Sequence, residues 1–248
     1  VSTPGRPTGY RVRRVTTSRA GGVSKPPYDA FNLGDHVGDS PADVAANRRR
    51  LADKIGLSPD RLVFMDQIHG RTVTVVDGSV RGTVPATDAL VTTERDLALV
   101  VLAADCVPVL LSDDAAGVIA AVHAGRIGAR IGIVPRVLDA MVAAGASLSR
   151  IEGFLGPAAG GEDYEVPAAM QRDVEAHLPG SATRTRKGTP GLDIRAGLRR
   201  QLLEAGIAGV AVDPRETITD RSLFSHRRGA PTGRHAGVVW MDTTEGGR

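Results

Sequence analysis

A single cysteine, Cys106, occurs in the 248 residues, so no intrachain disulfide can form and the thiol is left for packing, nucleophilic chemistry or metal binding. Aromatic residues make up only 3%, and lysine stands at Lys25, Lys54 and Lys187 alone. The net charge of +3 therefore rests on arginine, which is scattered along the chain, with Arg48-Arg49-Arg50 its longest run. Scattered arginine, few aromatics and no helix-turn-helix, zinc-finger or RNP pattern argue against a nucleic-acid partner. The longest unbroken apolar run, Leu97 to Ala104, is far short of a bilayer span. The polar start, Val1 to Arg14, is followed by no apolar signal region. These absences predict a cytoplasmic protein with no membrane partner.

The hydrophobic content of 42% suffices for a sizeable core. Ser40-Pro41-Ala42-Asp43 carries a serine N-cap, proline at the first helical position and an acid in the first turn, which predicts a helix from there to about Lys54, stopping before Gly56. Thr72–Val76 and Leu97–Ala104 read as strands, and Val107–Ser112 with Val118–His123 read as a hairpin around Asp113-Asp114-Ala115-Ala116-Gly117. Runs 97–104 and 118–123 are apolar on both faces and predict central strands of a covered sheet. An alanine-rich pattern predicts one helix from Gly128 to about Ala144, with further helices at 168–177 and 192–204 and strands at Gly209–Val212 and Ala236–Met241. No linker, repeat or low-complexity tract divides the chain, so residues 1–248 are read as one mixed α/β domain.

Two histidines share the company of Cys106. His69 precedes Gly70 and His123 opens His123-Ala124-Gly125, and an imidazole followed closely by glycine sits where backbone turns and a ligand can approach. One Cys with two His is the three-ligand set that zinc uses when its fourth position stays open. Spacing alone does not demand a metal: free cysteine is also among the most buried residue types, and a histidine at a strand end is as readily a hydrogen-bonded structural group.

Longer matches bear on that choice. Arg19 with Gly21-Gly22-Val23-Ser24, Asn32-Leu33-Gly34-Asp35-His36-Val37-Gly38-Asp39, Asn47-Arg48, Gln67-Ile68-His69-Gly70 and Thr87-Asp88-Ala89-Leu90-Val91-Thr92 appear in that order. They are followed by Ala104-Asp105-Cys106-Val107-Pro108, His123-Ala124-Gly125, Phe224-Ser225-His226-Arg227-Arg228 and Thr232-Gly233-Arg234. In this order and over this span the chain resembles the YfiH, or laccase-domain, family. The resemblance implies a mixed β-sheet sandwich flanked by helices and related to bacterial cysteine deamidase toxins. It further implies a zinc-dependent purine nucleoside phosphorylase that cleaves adenosine, inosine and guanosine with phosphate and also deaminates adenosine, with His69, Cys106 and His123 as metal ligands and catalytic set. The substrate implied is a small purine nucleoside, and phosphate is the co-substrate; no motif sets an oligomeric state beyond a monomer or weak dimer.

The chain departs from the family at three places. Arg126-Ile127-Gly128 replaces the usual Trp-Arg-Gly, Glu162-Asp163 replaces a Cys-Cys pair, and Glu216-Thr217 replaces Cys-Thr. Phosphate attack at C1′ calls for an arginine cradle, for which Arg48 and Arg228 are candidates, with Asn32 as a ribose or base contact. Each arginine serves equally well in a surface ion pair, and Asn32 as a turn residue before Gly34. Asp105 and Asp88 are candidate acid/base groups, carboxylates that orient a metal-bound histidine, or polar residues that simply hydrogen-bond nearby backbone amides. His36, His177, His226 and His235 are expected to reach water from loops or a solvated helix face.

Three other functions compete. A copper-dependent polyphenol oxidase is poorly supplied by six histidines without a His-x-His pair. A metal-free hydrolase or amidase with Cys106 as nucleophile and His123 as base, acting on a peptidoglycan precursor, uses the same residues. A non-enzymatic binding protein would need an exposed surface that sequence does not reveal.

Overall fold

Thirteen strands and five α-helices make up the described residues, 9–243, of the protein in a computed structural model. Along the chain come β1 (Arg11–Thr16), α1 (Pro41–Ile55), β2 (Leu62–Met65), β3 (Val73–Val75), β4 (Gly82–Val84), β5 (Ala89–Thr92) and β6 (Ala98–Ala103). The hairpin β7 (Val107–Asp113) and β8 (Val118–Ala124) is followed by α2 (Arg126–Arg130), α3 (Ile133–Ala143) and β9 (Glu152–Leu155). Then come α4 (Ala168–His177), β10 (Ala182–Arg184), β11 (Pro190–Leu192), α5 (Ile194–Glu204), β12 (Gly209–Val212) and β13 (His235–Asp242).

The strands form two mixed sheets, ordered β1-β13-β6-β2-β4 and β12-β9-β7-β8-β5-β3, with β10-β11 a separate ribbon. Alternation along β6 shows how they stack. Ala98, Val100 and Leu102 pack with Leu51 and Ala52 of α1, while Leu99 and Val101 pack with Leu110, Ile119 and Ala121 of the other sheet. The far face of the second sheet buries Val109, Ala120 and Val122 against Val134, Val137 and Met141 of α3 and Leu198 and Leu202 of α5. Both faces of each central strand are thus covered, which is why 97–104 and 118–123 read as apolar without alternation. The mixed α/β sandwich flanked by helices is the expected fold.

Local chemistry sets the ends. The Ser40 hydroxyl accepts from Asp43 N, Pro41 opens α1, and Gly56 closes it at φ +75°. The expected single helix after Gly128 is corrected: α2 starts at Arg126, Gly132 at φ +85° breaks the run, and α3 resumes at Ile133. Part of the N-terminal segment read as merely polar is β1, paired antiparallel to β13 from Arg11↔Asp242 to Thr16↔Gly237.

Candidate metal and nucleoside site

Antiparallel pairing of β7 and β8 matches Val107 with Ala124 and Pro108 with His123, which sets Cys106 beside Gly125 at the end of the hairpin. A Cβ on Gly125 would lie 2.9 Å from Cys106 Sγ and 3.0 Å from His69 Cδ2, so only glycine leaves these side chains their places. His69 arrives from the loop after β2 with φ +59°, and Asp105 stands at φ +96°, both left-handed conformations that non-glycine residues rarely adopt. Gln67 ties the His69 loop to the end of β6: its Nε2 donates to Leu102 O and its Oε1 accepts from Leu102 N, both at 2.8 Å.

The structure brings His69, Cys106 and His123 together, with one ligand atom from each lying within 4.8 Å of the others. Cys106 Sγ is 3.7 Å from His69 Nε2, close to the roughly 3.5 Å that separates two ligands of one tetrahedral zinc. Asp88 fixes the remaining geometry. Its Oδ1 lies 2.8 Å from His123 Nδ1 and accepts from His69 N, and its Oδ2 accepts from Gly70 N. With Nδ1 so engaged, His123 has Nε2 left for a ligand role, and Asp88 combines the orienting and the amide-bonding parts of its sequence readings. Borderline-soft donors, a bonded carboxylate behind one imidazole and a glycine that keeps space beside the thiol fit a metal that takes thiolate and imidazole, zinc or copper.

The charges are coupled. Burial pushes the Cys106 thiol up, but the His123 and His69 imidazoles outweigh it and bring it down to about 6. Burial pushes His123 down, yet Cys106 and Asp88 more than offset this and raise it to about 9. The thiolate needed for a metal or for nucleophilic attack is therefore favoured at neutral pH.

The three side chains open into a cavity of about 290 Å³, also lined by His36, Gln67, Arg126, Tyr164, Arg227 and Arg234. Arg126, where the family carries tryptophan, lines this cavity, and the neighbouring Ile127 is exposed.

Other sequence candidates are placed elsewhere. Arg48 does not line the cavity: it lies over the Phe64 ring, donates from Nε to Leu33 O and pairs with Asp35 at 3.0 Å. Arg228 is caged by the carbonyls of Thr217, Asp220 and Leu223. Neither guanidinium is free for phosphate. Asn32 is buried as a turn residue, its Oδ1 accepting from Gly34 N and Arg234 N and its Nδ2 donating to Asp39. Asp105 borders the cavity, but its carboxylate accepts from Thr217 Oγ1 and Arg227 N and pins the C-terminal loop. His235, expected in water, is fully buried at the start of β13, where the Pro157 backbone is nearby but neither ring nitrogen makes a well-formed hydrogen bond among the described residues. His36 and His226 are exposed, as expected, but border the cavity, a role their sequence context did not signal.

Comparison with known proteins places the chain in a family. Residues 13–242 match the family described as multi-copper polyphenol oxidoreductase laccase. A Corynebacterium glutamicum protein named purine nucleoside phosphorylase is 63% identical over 95% of this chain and 96% of its own length. One of the same name from Mycobacterium tuberculosis is 58% identical over 94% of this chain and 93% of its own. Among solved structures, YlmD of Geobacillus stearothermophilus superposes with a TM-score of 0.87 at 32% identity, covering 93% of this chain and 92% of that one. YfiH of Bacillus licheniformis gives 0.86 at 30%, covering 92% of each. Sequence order, sandwich and relatives converge: the chain belongs to the YfiH, or laccase-domain, family.

Proposed function

We propose that this protein is a zinc-dependent purine nucleoside phosphorylase that also deaminates adenosine. The observation that carries the reading is the convergence of His69, Cys106 and His123 at one cavity, in a chain whose relatives at 58% and 63% identity are named purine nucleoside phosphorylase. A copper oxidase with several metal centres finds one candidate metal group among the described residues.

When bound, zinc supplies Lewis acidity at the mouth of the cavity. The residues do the rest. Asp88 holds His123 and His69 in place, and Gly125 leaves room beside the thiol. In phosphorolysis a phosphate oxygen bonds to C1′ as the C1′–N9 bond breaks. The bonding pair leaves on the purine, which takes the proton of hydrogen phosphate, giving free base and ribose 1-phosphate. In deamination water adds at C6 of adenosine and ammonia departs, leaving inosine.

A second reading has its own support. A Cys106 thiol brought down to about 6, a His123 raised to about 9 and Asp88 at 2.8 Å from that imidazole form a nucleophile, base and orienting acid. This is hydrolase or amidase chemistry without metal. Turnover of adenosine with phosphate that is lost to a chelator and restored by zinc supports the phosphorylase. Turnover indifferent to chelation and lost only to thiol alkylation would replace it with the hydrolase.

A further inference from the structure

Arg234 lines the cavity with the His69, Cys106 and His123 set, half-buried and, among the described residues, in no ion pair. Burial pulls its guanidinium below the ordinary arginine range, with Cys106 and Asp105 the acidic groups that partly restore it. Arginine cannot shed its charge, and taking a guanidinium out of water is unfavourable unless an anion or acceptors meet it. Arg48 meets Asp35 and Arg228 meets a cage of carbonyls. The charge of Arg234 has neither a carboxylate nor such a cage.

Its orientation is nonetheless set. Nη1 donates to the carbonyls of Thr232 and Gly233 at 2.9 and 3.1 Å, while Nε and Nη2 donate to no described residue. Its backbone N donates to Asn32 Oδ1 at 2.8 Å, and a Cβ on Gly34 would come within 2.8 Å of its Cγ, so the stem is clamped. A fixed guanidinium with Nε and Nη2 uncommitted offers the paired donors that match two oxygens of a phosphate.

We propose that Arg234 binds the phosphate co-substrate, its Nε and Nη2 taking two oxygens of inorganic phosphate beside Cys106. His36, on the loop that Asn32 ties to Arg234, is a further donor on the cavity wall. The assignment rests on the phosphorylase reading of this site and names the residue that reading had lacked.

Calorimetric titration with inorganic phosphate tests it on the protein as purified, for wild type, Arg234→Gln and Arg234→Lys, with zinc content and Tm measured on the same samples. Wild type is expected to bind phosphate and folded Arg234→Gln to bind it at least about tenfold more weakly at unchanged zinc content. Folded Arg234→Lys, which keeps the charge but loses the planar fork, is expected to bind more weakly than wild type. Wild-type affinity in either folded variant, or no phosphate binding by wild type, overturns the assignment. Binding is read without turnover, so the two claims fail separately. Phosphate held through Arg234 by a protein that releases no purine base keeps the anion subsite and removes the phosphorylase.

Discussion

Asp88 has no exposed surface and spends both carboxylate oxygens on the two histidine segments of the site. Asp88→Asn keeps the size but removes the charge that fixes His123 with Nδ1 protonated. Zinc affinity is expected to fall about 10- to 100-fold, and competition against a chromophoric chelator would show it; an unchanged affinity would detach Asp88 from metal binding. His235 carries a second residue-scale prediction. Burial lowers it to about 4, below the roughly 6.5 of an unfolded chain. Between those values the unfolded state binds the proton first, so stability falls as pH drops from about 6.5 to 4, by up to about 3 kcal/mol. Urea unfolding at pH 7.5 and 4.5 should show a larger loss for wild type than for His235→Leu, and equal losses would contradict it. At this scale the cluster of His69, Cys106 and His123 was legible because glycine closely follows each histidine and Cys106 is the one thiol. Arg48 and Arg228 were not separable from binding arginines, because a ring stack or a carbonyl cage comes from distant segments and leaves no local pattern. His235 was misread for a related reason: the strand that buries it begins one residue earlier than the apolar pattern shows.

The hairpin of β7 and β8 shows what an element needs beyond apolar residues. Asp113, fully buried at its turn, accepts from the backbone N–H groups of Ala115, Ala116 and Ser147 and pairs with Arg150 at 2.8 Å. Burial pushes its carboxyl up, but Arg150 and these amides outweigh that and hold it below the usual range. Asp113→Asn is expected to lower stability by about 2 kcal/mol at pH 7, read as a shifted urea midpoint. A carboxylate lowered in the folded state stabilises above its unfolded pKa of about 4, and that gain is lost as pH falls through the folded value. The difference between wild type and variant should therefore shrink near pH 3; a constant difference would mean that the charge is not the cause. Central strands and the capped α1 were legible because doubly covered strands are apolar throughout and a Ser-Pro start has local chemistry. Short strands such as β4 and β10 were not, since three residues paired at a sheet edge or in a ribbon have no periodicity to read. The break between α2 and α3 depended on the conformation of Gly132, which an alanine-rich pattern conceals.

At the scale of the whole molecule the site is a seam. His69 and Gln67 come from the loop that leaves the first sheet after β2, Cys106 and His123 from the hairpin of the second, and Arg234 from the approach to β13. Among the described residues no helix is long and apolar enough to cross a membrane. Family order was legible across the chain because its short motifs, some of which meet at the cavity, lie far apart in sequence and keep their succession. The arginines of the cavity were less legible, since each needs the fold to say whether its charge is already met. The most direct measurement is release of free purine base from adenosine by wild type and Cys106→Ala, with and without phosphate, read by chromatography. The account expects phosphate-dependent adenine or hypoxanthine from wild type, stopped by chelation and restored by zinc, and none from the variant. Adenine or hypoxanthine released by Cys106→Ala at the wild-type rate, or neither base from zinc-loaded wild type, would contradict it.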